Sequence, residues 1–153
     1  MEKGRRTPPP RTAVAVRAAN PAAEPAGFLN IDLDVRSRRP ISGLLVAWPG
    51  ADRPRRSDGR FHRGWLIIRA PGSVRTAEAA ARFLLSEVER LPPVARRCWN
   101  HASRRTFDIG IQAGPQPPAF EAVQLEPSTL ERIAAVGGRI QITVYAPVAG
   151  RRR

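Results

Sequence analysis

The sequence predicts one α+β domain, with a mixed sheet of about five strands and helices packed on one side. Three observations predict it. Apolar and polar residues alternate in FLNIDLDV, TFDIGI and RIQITVY, the period-two pattern of strands with one buried face. Between them, apolar residues recur at helical spacing in segments closed by proline or glycine. A chain of 153 residues with 42% apolar content is long enough to build one core. The predicted order is β-α-β-α-α-β-β-α-β, which lets every apolar stripe face a common interior.

Residues 1–27 read as a flexible, basic Pro/Ala-rich arm, 28–147 as the domain, and 148–153 as a basic tail. In the first strand Leu29, Ile31, Leu33 and Val35 form the inner face, leaving Asn30, Asp32 and Asp34 on the other side. Ile41, Leu44, Leu45 and Trp48 follow i, i+3, i+4, i+7 spacing, a short helix weakened by Gly43. PGADRPRRSDGR is a loop of turn residues and arginines, and GWLIIRA is the second strand. Ala80, Phe83, Leu84, Val88 and Leu91 mark a long helix that ends at Pro92-Pro93. Pro93 opens another, with an apolar side of Val94, Ala95, Cys98, Trp99 and Ala102.

Phe107, Ile109 and Ile111 make the inner face of the next strand. GPQPP is a loop, and AFEAVQLE is the following strand, with a phase slip at Ala122/Val123 that allows a bulge. In STLERIAAVGG, Ser128 and Glu131 have capping-box spacing, Leu130, Ile133 and Ala134 form the inner stripe, and two glycines end the helix. RIQITVY closes the fold with Ile140, Ile142 and Val144 on one face.

The FLNIDLDV, GWLII and TFDIGIQAG strands and the ending LEPSTLERIAAVGGRIQITVY resemble small, uncharacterised bacterial α+β proteins. In these a strand ending in glycine precedes a further strand, a helix of S-x-x-L-x-x-I-A type and a final I-T-V-Y strand. The resemblance spans roughly residues 28–146. It implies a fold, and for some members an immunity-like or accessory role; it carries no catalytic residue, and the basic loop at 49–63 has no counterpart in it.

Net charge is +13, and 25 of the 26 basic residues are arginine. A GC-rich genome accounts for arginine over lysine, but the surplus is uneven. Residues 36–63 hold eight arginines against Asp52 and Asp58, and the chain ends in three more. No apolar run approaches the length of a membrane span, so no membrane contact is expected. The single cysteine excludes an internal disulfide framework and suits a reducing cytoplasm.

Cys98 and His101 lie one helical turn apart, but Cys98 shares the apolar side with Trp99 and reads as a small buried hydrophobe. Asp32 and Asp34, with Asp108 if its strand is adjacent, could present carboxylates to a divalent cation; a solvated or ion-paired strand face is the simpler reading. Gly137-Gly138 lacks a Walker pattern and reads as a helix terminator. The sequence therefore assigns no catalytic residue, no metal ligand and no cofactor.

What remains is the arginine-rich loop. Arg53, Arg55, Arg56, Arg60, His62 and Arg63 are the candidate partner-binding residues, since guanidinium forks suit carboxylates and phosphates alike. The expectation is a non-enzymatic protein that contacts an acidic protein surface. The alternative is a nucleic-acid-associated protein that uses this loop and the tails on phosphates, by non-specific electrostatics. No recognised nucleic-acid-binding signature is present, and nothing in the sequence fixes an oligomeric state.

Overall fold

The computed structural model describes residues 27–113 and 122–146. The arm expected over 1–27 (all but Gly27), the GPQPP loop and the basic tail at 148–153 lie outside the described residues. The architecture is α+β, with a four-stranded mixed sheet and four helices. In chain order the elements are β1 (Gly27–Arg36), α1 (Ser42–Ala47), β2 (Trp65–Arg69), α2 (Ala77–Glu89), α3 (Pro93–His101), β3 (Arg104–Gln112), α4 (Pro127–Ala135) and β4 (Arg139–Tyr145). The sheet order is β2-β1-β3-β4: β1 runs antiparallel to both neighbours, and β3 and β4 are parallel.

The expected fifth strand, AFEAVQLE, is not a strand over its described residues 122–126. Val123 and Leu125 instead pack on the core from an irregular approach to α4. The other slot beside β3 goes to β4, reached through the α4 crossover that parallel pairing requires.

Register places Leu33 between Ile68 and Phe107, and pairs Ile31 with Ile109 and Val35 with Leu66, all on one face. Six of the seven are buried and Ile68 is half-buried, under the Ala77, Ala80, Ala81, Leu84, Leu85 and Val88 stripe of α2 and the helices beside it. Leu29 does not join this face. A register shift between Phe28 and Asn30 lets Phe28 pack on the core and leaves Leu29 exposed.

α1 and α3 pack together, and Trp48 and Trp99 meet edge to face with ring centroids 6.3 Å apart. Gly43 is the residue that makes this approach possible: a Cβ there would sit 3.1 Å from the Cys98 sulfur and 3.2 Å from the Val94 carbonyl oxygen. Val94 borders Gly43 with its side chain yet stays largely exposed, while Ala95, Trp99 and Ala102 are buried as expected.

The capping box expected at Ser128/Glu131 does not form, because the helix starts two residues earlier, with Glu126 at the N-cap. The inner stripe of α4 is Thr129 and Ile133; Leu130 and Ala134 are exposed. β4 departs most from expectation. Ile140, Ile142 and Val144 do share the helix-side face with Phe107, Ile109 and Ile111, but they are 39%, 60% and 63% exposed. The helices cover β1 and β3 and stop short of this edge.

Candidate anion-docking ribbon

Residues 52–67 are more ordered than a plain loop. Asp52 and Ile67 exchange backbone N–H···O bonds of 2.8 and 2.9 Å, which fastens the segment to the free side of β2. Further out, Arg55 opposes Phe61, His62 N–H donates to the Pro54 carbonyl at 3.0 Å, and Arg56 N–H donates to the Arg60 carbonyl at 2.7 Å. Gly59, at φ +80°, closes the turn in the left-handed region that glycine tolerates. The arginine-rich segment is thus a twisted two-stranded ribbon extending from β2.

Its side chains are arranged around Phe61. The Arg53 and Arg55 guanidinium carbons lie 4.5 and 4.3 Å from the ring centroid, within cation–π range. Stacking of this kind fixes a guanidinium while leaving its in-plane donors available. Arg55 spends one of them on the Gly59 carbonyl, at 3.0 Å. Arg56 pairs with Asp58 at 3.5 Å, and both are well exposed, a geometry of little energetic weight. Arg53, Arg60 and Arg63 make no ion pair among the described residues. Arg56, Asp58, Arg60, Phe61 and Arg63 border a depression of about 430 Å³.

Five of the six sequence candidates therefore meet at this ribbon. His62 is the exception. Its ring packs on Trp65 at 5.1 Å, where the Arg36 guanidinium also stacks at 4.0 Å, so it belongs to the sheet side. Phe61, which holds the ribbon's guanidinium groups in place, was not among the candidates; the only signal for it was an aromatic residue amid arginines in RFHR.

Other arginines are used within the fold. Arg105 donates to the Trp99 carbonyl at 2.9 Å, the Asn100 carbonyl at 2.9 Å and the Gly137 carbonyl at 3.3 Å, closing the end of α3. Arg96 does the same for α2, through the Val88 carbonyl at 2.6 Å and that of Glu89 at 3.0 Å. Arg132 forms a two-bond pair with Glu89, at 2.8 and 2.9 Å. These positions absorb part of the arginine surplus into structure; the ribbon displays another part, and Arg38, Arg39, Arg75, Arg82, Arg97, Arg104 and Arg139 are exposed elsewhere.

The strand-face carboxylates are engaged by their neighbours. Asp34 takes the Arg36 guanidinium at 3.0 Å. Asp32 accepts from Asn30 at 2.9 Å and faces Arg69 at 3.3 Å, while Arg69 reaches Asp52 at 2.7 Å. Asp108, directly opposite Asp32 in the register, accepts from Thr143 at 2.7 Å and Gln141 at 3.2 Å. Burial holds the Asp32 carboxyl above the ordinary aspartate range; Arg69 pulls it back, and Asp108 pushes it further up. Trp65 Nε1 and Thr106 Oγ1, on the same face, are buried without a hydrogen-bond partner among the described residues. Among the described residues no group of three or more His, Cys, Asp or Glu side chains is placed to hold a metal ion.

Cys98 and His101 border one shallow depression of about 250 Å³ with Arg39 and Arg97. The His101 Nδ1 bonds the Arg97 carbonyl oxygen at 2.7 Å, and the half-buried thiol lies against Gly43. No hydrogen bond joins thiol and imidazole among the described residues. No helix among them is long and apolar enough to cross a membrane. Comparison with protein-family models, with curated proteins and with solved structures finds no match to this chain.

Proposed function

We propose that this protein is a non-enzymatic binding protein that docks an acidic protein surface through the 52–67 ribbon. The observation that carries this reading is the stack of Arg53 and Arg55 on Phe61. A free arginine loses roughly 2 kcal/mol of rotamer entropy when a partner immobilises it; a stacked one has lost part of that beforehand. Arginine beside an exposed aromatic ring is also the composition enriched at the energetic centres of protein interfaces. Carboxylates of the partner would take the in-plane donors of Arg53, Arg60 and Arg63 in two-bond pairs.

A second reading has its own support. The depression among Arg56, Arg60 and Arg63, with Phe61 on its border, has the volume and charge for a phosphate group carrying a stacked base. On that reading the ribbon tracks a nucleic acid.

Fluorescence anisotropy with labelled poly-glutamate, single-stranded DNA and duplex DNA at equal salt separates the two. The protein-docking reading expects poly-glutamate to bind at least as tightly as either nucleic acid. It also expects affinity capture from native lysate to recover an acidic protein with the wild type and lose it with Arg53→Gln/Arg55→Gln/Arg63→Gln. Preference for DNA by tenfold or more would transfer the assignment to the second reading, and binding to none of the three probes at low salt would remove both.

A further inference from the structure

We infer that β4 is a homodimerisation edge: two copies of this chain pair their β4 strands antiparallel about a two-fold axis at Ile142, making one continuous eight-stranded sheet. The edge on the other side of the sheet is occupied, since Asp52 bonds the free side of β2 at Ile67. On β4, none of the described residues bonds the backbone on the side away from β3.

The parity of the strand determines which groups face outward. The Tyr145 carbonyl accepts from Ala113 N–H at 2.9 Å and so points toward β3. Residues of the same parity, Arg139, Gln141 and Thr143, point their peptide groups the same way, which leaves Ile140, Ile142 and Val144 presenting N–H and C=O at the open edge. A two-fold axis at Ile142 joins these groups to each other. Ile142 exchanges bonds with its own copy, and Ile140 does so with Val144 on both sides of the axis. The side chains of the same three residues are the exposed ones on the helix-side face. Pairing thus sets six β-branched side chains in direct cross-strand contact, the kind of contact that stabilises sheets.

Charge favours a second copy of this strand over an acidic partner. Residues 140–145 carry no charge in a chain of net +13, and they contain none of the lysines, prolines or inward charges that usually block an open edge. In this register Arg139 lies across from Tyr145 of the second copy. The two Arg139 residues stand about 20 Å apart, beyond the ~8 Å screening length at physiological salt. Covering all the exposed surface of Ile140, Ile142, Val144 and Tyr145 buries roughly 800 Å² over both copies, below the ~1,000 Å² of a stable interface, so the association is weak. A dimer of that size is concentration-dependent.

Sedimentation of the full chain over a range of concentrations tests this, with Ile142→Pro and Ile142→Lys as variants. The Ile142 N–H points away from β3, so proline there leaves the native ladder intact while removing a bond at the axis. Lysine there meets its own copy. The wild type is expected to shift from monomer to dimer with concentration, and added salt to leave the dimer unchanged or favour it. Both variants, folded by circular dichroism, are expected to stay monomeric. Under mild oxidation, Ile142→Cys is expected to give a covalent dimer, since a strand pair at the axis brings like residues within disulfide reach; Gln141→Cys, which faces Thr143, is expected not to. A wild type that stays monomeric at every concentration, growth beyond a dimer, or a dimer that survives Ile142→Pro and Ile142→Lys overturns the inference.

Discussion

Glu78, in the first turn of α2, caps the N-terminus of α4. Its carboxylate accepts from Thr129 Oγ1 at 2.6 Å and from Glu126 N–H at 3.0 Å, groups about fifty positions further along the chain. The orphan donors of a helix start need an acceptor, and here a neighbouring helix supplies it in place of the local serine. Glu78→Ala is expected to cost about 1–2 kcal/mol, and Ser128→Ala less than about 0.5 kcal/mol. Urea denaturation of the two variants checks this. Equal losses would return the cap to Ser128.

Gly64 holds the entry to β2 against the exit from β1. Ser37 N–H donates to the Gly64 carbonyl at 2.7 Å, and a Cβ on Gly64 would come within 2.0 Å of the Ser37 carbonyl oxygen. That neighbour is backbone and cannot rotate away. Gly64→Ala is therefore expected to cost about 2–3 kcal/mol or more, whereas Gly50→Ala, with open space around it, is expected to change little. Thermal unfolding of both variants is the measurement.

Asp32 makes stability depend on pH in a particular direction. Its carboxyl keeps its proton to a higher pH in the folded protein than in the unfolded chain, chiefly because burial disfavours the charge. Between the unfolded value, near 3.8, and the folded one, the native state binds more protons, so the Asp32 contribution falls as pH rises through that window and is level above it. Asp32→Asn removes this slope. The stability difference between wild type and variant is expected to move against the wild type as pH rises through the window, then hold constant. Asp108→Asn narrows the window, since the Asp108 charge adds to the rise. Urea midpoints measured across the acid range test both, and a pH-independent difference would contradict the assignment.

The central strands were legible because burial on one face writes a two-residue period into sequence. Ile31, Leu33 and Val35 show it, as do Phe107 and Ile109. The pattern does not say how far the helical layer extends. Ile140, Ile142 and Val144 carry the same period, yet they line an edge that no described helix reaches. Leu29 fails for a local reason, a register shift that no alternation reveals. Gly43 looked like a defect in a helix because its use lies in α3, at Cys98 and Val94. The ribbon's charge could be read from composition. Its organisation could not, because the stack of Arg53 and Arg55 on Phe61 depends on a reversal at Gly59.

Charge and pre-organisation at the ribbon are separable by substitution. Arg53→Gln/Arg55→Gln removes two cations, so with duplex DNA as probe the slope of log affinity against log salt is expected to flatten by roughly two. Phe61→Leu keeps every charge and removes the ring that both guanidinium groups stack on. Two exposed cation–π contacts are worth about 0.5–1 kcal/mol each, so affinity is expected to fall about fivefold to thirtyfold at fixed salt, with the slope unchanged. The same ranking should hold for poly-glutamate, because both probes would use the same displayed donors. If Phe61→Leu binds as tightly as the wild type, the stack does not pre-organise the site. The ribbon's arginines would then act as independent charges on a turn.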